Sequence, residues 1–230
     1  TANWGQRPRV AIHQPNLLPR LKVLQKLAAA DIWCVLDSVQ YCPREWQNRA
    51  RIVAAHGDHG SSWFSVPVRR PKGRSTLICD VAVVDPAATG PLAESTLRHS
   101  LRRALHWPDL ATFLASANLA FDSEALTQLC VASTCRLLRI ANKEPQVVLA
   151  SSLPVHGKAS RLMAAICRQL GAGTYLSDSG GRNYLQLDHF GGIDVAWQDW
   201  QEPAESWPGI TSWRNVSSVN YLARGGAERF

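Results

Sequence analysis

Hydrophobic and polar positions near the start of the chain predict a strand, a helix and a second strand. Apolar runs over 9–13 and 32–36 are typical of buried strands. Between these runs, leucines recur at helical spacing and predict a helix over 18–30. A strand, a helix and a strand within about 30 residues form a βαβ unit with parallel strands.

The rest of the chain continues these patterns. Apolar runs over 51–55 and 61–68 flank the turn-rich sequence HGDHG and predict a β-hairpin. The other predicted elements are strands over 77–84, 146–150, 174–176 and 193–197, and helices over 92–105, 110–120, 123–142 and 158–170. We therefore expect a single α/β domain over 1–230, with a mainly parallel, Rossmann-like sheet, a helical insertion over about 91–142 and an irregular tail over about 201–230.

The composition is that of a globular protein. The 230 residues are 46% hydrophobic and 19% charged, which excludes a disordered chain and allows a sizeable core. No apolar run approaches the roughly 20 residues of a membrane helix, and the first residues lack the apolar core of a secretory signal. We therefore expect a cytoplasmic protein with no membrane partner. Six cysteines form no C-x-x-C pair and no zinc-finger spacing, and Cys42 is the one to test as a reactive thiol.

Basic residues outnumber acidic ones. The formal net charge is +7 and the isoelectric point is near 9.4, with many of the arginines over 44–74. A basic field favours phosphate-bearing ligands such as nucleotides, nucleotide sugars or RNA. The alternative is a solvated basic surface that reflects an arginine-rich proteome.

Four polar stretches follow predicted strands: HQPN, DSVQY with the nearby WQNR, SSLPVHGK and SDSGGR. If the strands are parallel neighbours, these stretches converge on one crevice at the carboxyl edge, where open α/β sheets hold their ligands. The chain has no P-loop, H-E-x-x-H or dinucleotide-binding glycine motif. The sequence therefore predicts no metal ligands and leaves the cofactor unknown.

His13 ends the first predicted strand, where an imidazole can act as a general base or stabilise charge on a phosphate. The second role is typical of nucleotidyl-transferase (HUP-type) folds, although their H-x-G-H spacing is absent here. The alternative is a turn histidine bonded to backbone. In SDSGGR, the amides of Gly180 and Gly181 are expected to approach an anion that Arg182 clamps.

Further polar residues have two interpretations. Gln47 and Asn48 offer amides that read a ligand, and Arg49 offers an anion clamp. Alternatively, WQNR is a structural loop whose amides hold strand ends together. Lys158, at the start of a predicted helix, is either a second anion site or a solvent-facing residue.

Several of these motifs resemble the WbqC-like protein family. They are IHQPNLLP, LDSVQY with WQNR, VPV, and LGAGTYLSDSGGRNYL, and the match runs with gaps from 10 to about 199. Members of that family occur in O-antigen and other specialised biosynthetic gene clusters, so the resemblance implies a biosynthetic role. The chain departs from the family pattern at three positions: Arg20 replaces an aromatic residue, Ser38 a common second acid, and Asp178 a common glycine.

We expect a transferase that moves an acyl or aminoacyl group onto an amine or hydroxyl of a small intermediate. The donor bears phosphate, and aminoacyl-tRNA is one candidate. In this hypothesis His13 is the base, Asp37 orients the acceptor amine, and Arg49 and Arg182 hold the donor. One alternative is nucleotidyl transfer to a sugar or metabolite phosphate. Another is a non-catalytic nucleic-acid or nucleotide-sugar binding module.

The expected site residues fall into two groups. The catalytic residues are His13, Asp37 and Asn16. The substrate-binding residues are Gln14, Gln40, Tyr41, Gln47, Asn48, Arg49, Ser177, Ser179, Gly180, Gly181, Arg182, Tyr184 and Lys158. The oligomeric state is left open by the sequence.

Overall fold

The computed structural model describes residues 7–55, 60–116, 123–204, 207 and 209–226. These residues form nine strands: β1 (Arg9–His13), β2 (Ile32–Val35), β3 (Arg49–Val53), β4 (Ser61–Ser65), β5 (Val68–Arg69), β6 (Ala82–Val83), β7 (Gln146–Leu149), β8 (Thr174–Ser177) and β9 (Asp194–Trp197). They also form six α-helices: α1 (Leu21–Ala28), α2 (Pro86–Leu101), α3 (Trp107–Ser116), α4 (Leu126–Ile140), α5 (Ala159–Gln169) and α6 (Ser218–Gly225).

Two compact units make up the chain. Unit 1 comprises residues 1–14, 26–38 and 145–201, and unit 2 comprises residues 15–25, 39–144 and 202–230. The sequence alone predicts one domain and offers no linker that marks this division. Among the described helices, none is long and apolar enough to span a membrane.

Unit 1 is built on a parallel sheet with the strand order β7-β2-β1-β8-β9. Val10, Ala11 and Cys34 in the central strands are fully buried, as expected where a parallel sheet is covered on both faces. The α/β class and the parallel sheet are confirmed, and the arrangement is consistent with a Rossmann-like fold. Each predicted strand of this sheet agrees with the structure to within one residue at either end.

Helix α1 is shorter than the predicted helix over 18–30, because it begins only at Leu21. Leu18 has a φ of 44°, a left-handed conformation that a helix interior does not accommodate. The Leu18 carbonyl instead accepts a hydrogen bond of 2.8 Å from Ser217 Oγ. Pro19 follows, and the residue before a proline is disfavoured in helical conformation. Local backbone geometry therefore delays the helix by one turn.

The predicted hairpin of unit 2 is confirmed as the antiparallel pair β3–β4. The second apolar run, predicted as one strand over 61–68, splits into β4 and β5 because Pro67 has no N–H to continue the ladder. The predicted strand over 77–84 is wrong for most of its length. It forms a 3₁₀ turn over Ile78–Asp80 and only the two-residue strand β6, which pairs with β5.

The three predicted helices between 92 and 142 are present with shifted ends. Helix α2 begins at Pro86, and the Asp85 side chain accepts a hydrogen bond from the Ala88 amide. Proline is compatible with this first-turn position, so the helix begins earlier than the predicted start at 92. The part of the predicted helix over 110–120 that follows Ser116 lies outside the described residues.

The tail over 201–230, expected to be irregular, contains helix α6. Ser217 Oγ accepts a hydrogen bond from the Val219 amide and caps the helix. Every residue from Ser218 to Gly225 is buried. Val219, Leu222 and Ala223 recur at helical spacing, but the helix has only eight residues and also buries the polar side chains of Asn220 and Arg224.

Candidate active site

Polar side chains gather at the carboxyl edge of the unit 1 sheet. His13 is the last residue of β1, and Asp178 follows β8 directly. Asp37 and Ser151 each lie two residues beyond the ends of β2 and β7. Because these strands are parallel, their carboxyl ends lie at one edge of the sheet. The predicted convergence is therefore confirmed for the segments that belong to unit 1.

Lys26, which the sequence analysis did not select, connects this edge. Its residue surface is only 2% exposed. Nζ donates to the Ile12 carbonyl at 3.2 Å and lies 3.1 Å from His13 Nδ1. Nζ also lies 3.8 Å from Asp178 Oδ2. A buried ammonium is stable only with such partners, so one cation joins the ends of β1 and β8.

The contact with Lys26 determines which nitrogen of His13 carries the proton. An ammonium has three donors and no lone pair, so Nδ1 must accept and the ring proton is on Nε2. A general base needs a lone pair directed at its substrate, whereas this tautomer presents an N–H. The predicted role of His13 as a base therefore does not fit the geometry. In this tautomer the N–H donor of the ring is Nε2.

The SDSGGR segment forms a 3₁₀ turn over Ser179–Asn183 and is capped by Asp178. The Gly180 amide donates to Asp178 Oδ1 at 3.0 Å, and the Gly181 amide donates to the Asp178 carbonyl at 3.0 Å. The prediction that these two amides cradle an anion is therefore wrong. The N–H groups of Gly180 and Gly181 already donate within the turn, and the Asp178 side chain that caps the turn is itself a carboxylate.

Arg182 is the cationic group of this turn that stays exposed. Its guanidinium lies 5.1 Å from the ring centroid of Trp197 in β9. Gly181 beneath it is closely packed, since an added Cβ would clash with Ser177 Oγ and lie 2.8 Å from Trp197 Cζ3. Close packing orients the turn, and Arg182 remains available for a phosphate or carboxylate.

Asp37 joins the ends of two strands. It is 1% exposed. Its Oδ1 accepts from the Ser151 amide at 2.8 Å and its Oδ2 from Ser151 Oγ at 2.7 Å. Burial, assisted by the charge of Asp37, raises the pKa of the Cys34 thiol to about 12. A carboxylate held in this way positions β2 against β7, so the predicted role in orienting an acceptor amine does not fit.

The other predicted residues of unit 1 lie near the surface or beside this turn. Lys158 is exposed and precedes the first residue of α5 without capping it through its side chain. Ser177 is 2% exposed and donates to the Asp178 carbonyl at 3.3 Å. Tyr184 is 63% exposed, and partial burial raises its pKa, with a smaller contribution from Asp178. Gln14 is partly exposed, and Ser179 is exposed.

Most of the predicted residues in unit 2 have structural roles. Tyr41 Oη donates to Asn48 Oδ1 at 2.8 Å, and Asn48 Nδ2 donates to the Val66 carbonyl at 2.8 Å. Gln47 is 1% exposed, and Gln40 Nε2 donates to the Arg74 carbonyl at 2.6 Å. These contacts favour the structural interpretation of the WQNR amides.

Asn16, predicted to be catalytic, also belongs to unit 2. It is 6% exposed, and its Nδ2 donates to the Pro15 carbonyl at 3.1 Å. Its own carbonyl accepts from Thr134 Oγ1 at 3.3 Å. Asn16 is therefore part of a buried polar network. Among the described residues, no group of three or more His, Cys, Asp or Glu side chains is arranged to hold a metal ion.

A parallel sheet with a polar carboxyl edge makes unit 1 an α/β unit that is consistent with a Rossmann-like fold. The chain belongs to the WbqC-like protein family, whose model matches residues 14–221. It is 29% identical to uncharacterized protein Rv1507c of Mycobacterium tuberculosis (strain ATCC 25618 / H37Rv), over 231 residues that cover 96% of this chain and 95% of that protein. No solved structure matches the chain.

Proposed function

We propose that the chain is a transferase of small-molecule biosynthesis that binds a phosphate-bearing donor at the carboxyl edge of unit 1 and transfers a nucleotidyl group. The observation that carries this proposal is the 3.1 Å contact between Lys26 Nζ and His13 Nδ1. Because the Lys26 ammonium can only donate, this contact places the ring proton of His13 on Nε2. Such a donor stabilises the negative charge that develops on a phosphate oxygen during transfer. In this proposal, unit 1 is the HUP-type form of the Rossmann-like fold.

Two exposed cations complement this donor. Arg182 offers a planar guanidinium that can hold two phosphate oxygens at once, and Trp197 lies beneath it at 5.1 Å. Lys158 adds a point charge beside the start of α5. The acceptor in this proposal is a sugar or metabolite phosphate, whose ionised oxygen attacks the α-phosphate without a base while pyrophosphate leaves.

Acyl or aminoacyl transfer is the second candidate, with aminoacyl-tRNA as a possible class of donor. Here His13 would donate to the oxyanion of a tetrahedral intermediate, because its Nδ1 is occupied by Lys26. The observation that favours this candidate is the group of exposed arginines in unit 2, since an RNA donor requires a basic surface.

The test is pyrophosphate release from each of the four ribonucleoside triphosphates, with magnesium and a panel of sugar 1-phosphates as acceptors. We expect release with one triphosphate and a decrease of about 100-fold in rate for His13→Ala. His13→Gln should retain more activity, because its amide can still donate. His189→Ala is the matched control, since His189 lies outside the candidate site and bonds to Gln186.

Calorimetric titration with the same triphosphates gives a readout that does not need the acceptor. If none of the four binds and none yields pyrophosphate, nucleotidyl transfer is contradicted. Product formation from aminoacyl-tRNA would then support the second candidate. Binding without turnover in a reconstituted pathway would instead support a non-catalytic module.

A further inference from the structure

The β3–β4 hairpin of unit 2 has one buried face and one open face. Residues directly opposite each other in an antiparallel pair point to the same face, and Arg51 is opposite Trp63. Ala50, Ile52 and Phe64 on the other face are buried, whereas Trp63 is 46% exposed. The open hairpin face consists of Arg49, Arg51, Ser61, Trp63 and Ser65, and Val53 opposite Ser61 closes it at one end, because Val53 is 1% exposed.

Arginine and tryptophan side chains pack against one another on this face and beside it. The Arg49 guanidinium lies 4.2 Å from the ring centroid of Trp63. Trp46 meets Trp63 edge-on with ring centroids 5.3 Å apart, and Arg20 lies 5.2 Å from the Trp46 centroid. Cation–π and edge-to-face contacts of this kind fix ring orientation. Trp63 is therefore an oriented aromatic platform that is still open to a ligand.

Three arginines near this platform lie outside the described ion pairs. In the described part of the chain, none of the ion pairs includes Arg49, Arg51 or Arg70. Burial raises the pKa of Tyr41, and the nearby charges of Arg70 and Arg49 oppose that rise. The positive charges of Arg70 and Arg49 both act on the Tyr41 hydroxyl, so the electrostatic fields of the two guanidinium groups overlap there. A positive surface without acidic partners favours a polyanion.

Basic residues continue along the segment that follows the hairpin. Arg69, Arg70, Lys72 and Arg74 are all exposed, and among them Lys72 is paired with Asp80 at 2.9 Å. Arg49 and Arg51 are two residues apart on one strand, which places them about 7 Å apart along it. Several cations on one strand and the segment after it match a ligand whose negative charges recur along a chain.

We propose that the open hairpin face binds single-stranded RNA, with a base stacked on Trp63 and backbone phosphates contacted by Arg49 and Arg51. Stacking on an aromatic ring beside arginines is how sequence-tolerant single-strand binding is achieved. The exposed Ser65 hydroxyl beside Trp63 suits a ribose 2′-hydroxyl, which both donates and accepts. This feature favours RNA over DNA. The proposal does not rest on nucleotidyl transfer by unit 1.

The experiment is fluorescence anisotropy with a labelled, unstructured RNA of about 12 nucleotides, a length within the usual range of single-strand sites. We expect Trp63→Ala to weaken binding about tenfold and Trp63→Phe, which retains a stacking ring, to weaken it less. Arg51→Ala should reduce the slope of log affinity against log salt by about 0.7. Arg103→Ala removes the same charge from an exposed position outside the hairpin and should change affinity less than twofold.

The RNA assignment is tested with a DNA strand of the same sequence. We expect wild-type protein to bind RNA more tightly than DNA, and Ser65→Ala to reduce this preference. Unchanged RNA affinity in both Trp63→Ala and Arg51→Ala overturns the proposal, as does an equal loss in Arg103→Ala. DNA binding as tight as RNA binding overturns the choice of RNA. His13→Ala should bind RNA like the wild type, so failure here is distinct from failure of the transfer reaction.

Discussion

The carboxyl edge of unit 1 and the open hairpin face of unit 2 hold their cations in opposite ways. At the edge, Lys26 is 2% exposed and its ammonium contacts Ile12, His13 and Asp178. On the hairpin face, Arg49 and Arg51 remain at least partly exposed, with no carboxylate in the described ion pairs. Lys26 fixes the position of the His13 ring proton and the orientation of that ring. The positive charges of Arg49 and Arg51, in contrast, remain available for a ligand.

This difference has an energetic consequence. A buried ammonium is costly unless it is paired, so removal of one partner leaves the others uncompensated. An exposed guanidinium is hydrated and screened, so its loss changes stability little. We therefore expect substitutions at the edge to lower stability as well as activity, and substitutions on the hairpin face to lower binding alone.

The largest effect is expected for Lys26→Met. This change removes the donor that Ile12, His13 and Asp178 share, and it should lower the free energy of unfolding by about 3 kcal/mol in urea titrations. Lys22→Met is the matched control on the same helix. Lys22 is partly exposed, and its loss should be below about 1 kcal/mol. Equal losses in the two variants would contradict the role of Lys26.

A smaller effect is expected from pH. Burial raises the pKa of Cys34 and Cys167 from 9.0 to about 12 in the folded state. The folded state therefore retains protons that the unfolded state loses above pH 9, so stability is complete below that pH and declines toward pH 12. Between pH 8 and pH 10 we expect a decrease of about 2.7 kcal/mol in the free energy of unfolding, about 1.36 kcal/mol from each thiol.

The Cys34→Ala/Cys167→Ala variant tests that interpretation. Its stability should depend less on pH over the same range, and an unchanged slope would assign the effect to other groups. Cys42 in unit 2 is exposed. It should react with iodoacetamide at pH 8 in the folded protein, whereas Cys34 and Cys167 should be protected until the protein unfolds.

Substitutions at two adjacent glycines test how close packing orients the turn after β8. Gly181→Ala should lower the free energy of unfolding by about 1.5 kcal/mol, because the new Cβ meets Ser177 Oγ and Trp197. Gly180→Ala is the control, since its Cβ would only approach Asp178 Oδ1 at 3.1 Å. If thermal or urea unfolding shows the same loss for both, the close packing at Gly181 is not what orients the turn.

The smallest effect is expected for Arg51→Gln on the hairpin face. Arg51 Nε donates to Ser61 Oγ at 2.7 Å in an exposed hydrogen bond, so the free energy of unfolding should change by less than about 0.5 kcal/mol. The same variant should weaken RNA binding. A loss of stability as large as that of Lys26→Met would remove the contrast between the two regions.

The strands of unit 1 were predictable because buried parallel strands are continuous apolar runs bounded by turns. Helix α6 was not predicted, because it has only eight residues and buries polar side chains such as those of Asn220 and Arg224. The division into two units also has no signal in the sequence. The chain leaves unit 1 after Gln14 and returns to it at Lys26, which lies within α1. These are tertiary effects that local patterns do not encode.

At the candidate site, the strand-end position of His13 was predictable and its chemistry was not. Lys26 lies three residues after Val23 and one before Leu27, both buried, so it occupies a core-facing position of the helix. A lysine at such a position is the signal that reveals a buried partner. The Gly180 and Gly181 amides were misassigned because Asp178 caps its own turn, an interaction that aspartate often makes.

The central claim is that Lys26 holds His13 as a neutral ring that donates through Nε2. Nitrogen-15 NMR of the histidine rings near neutral pH tests it directly, with the His13 signals assigned by their loss in His13→Gln. We predict a protonated Nε2 and an unprotonated Nδ1, and a loss of this tautomeric preference in Lys26→Met. A His13 ring protonated at Nδ1 in the wild-type protein would contradict the account.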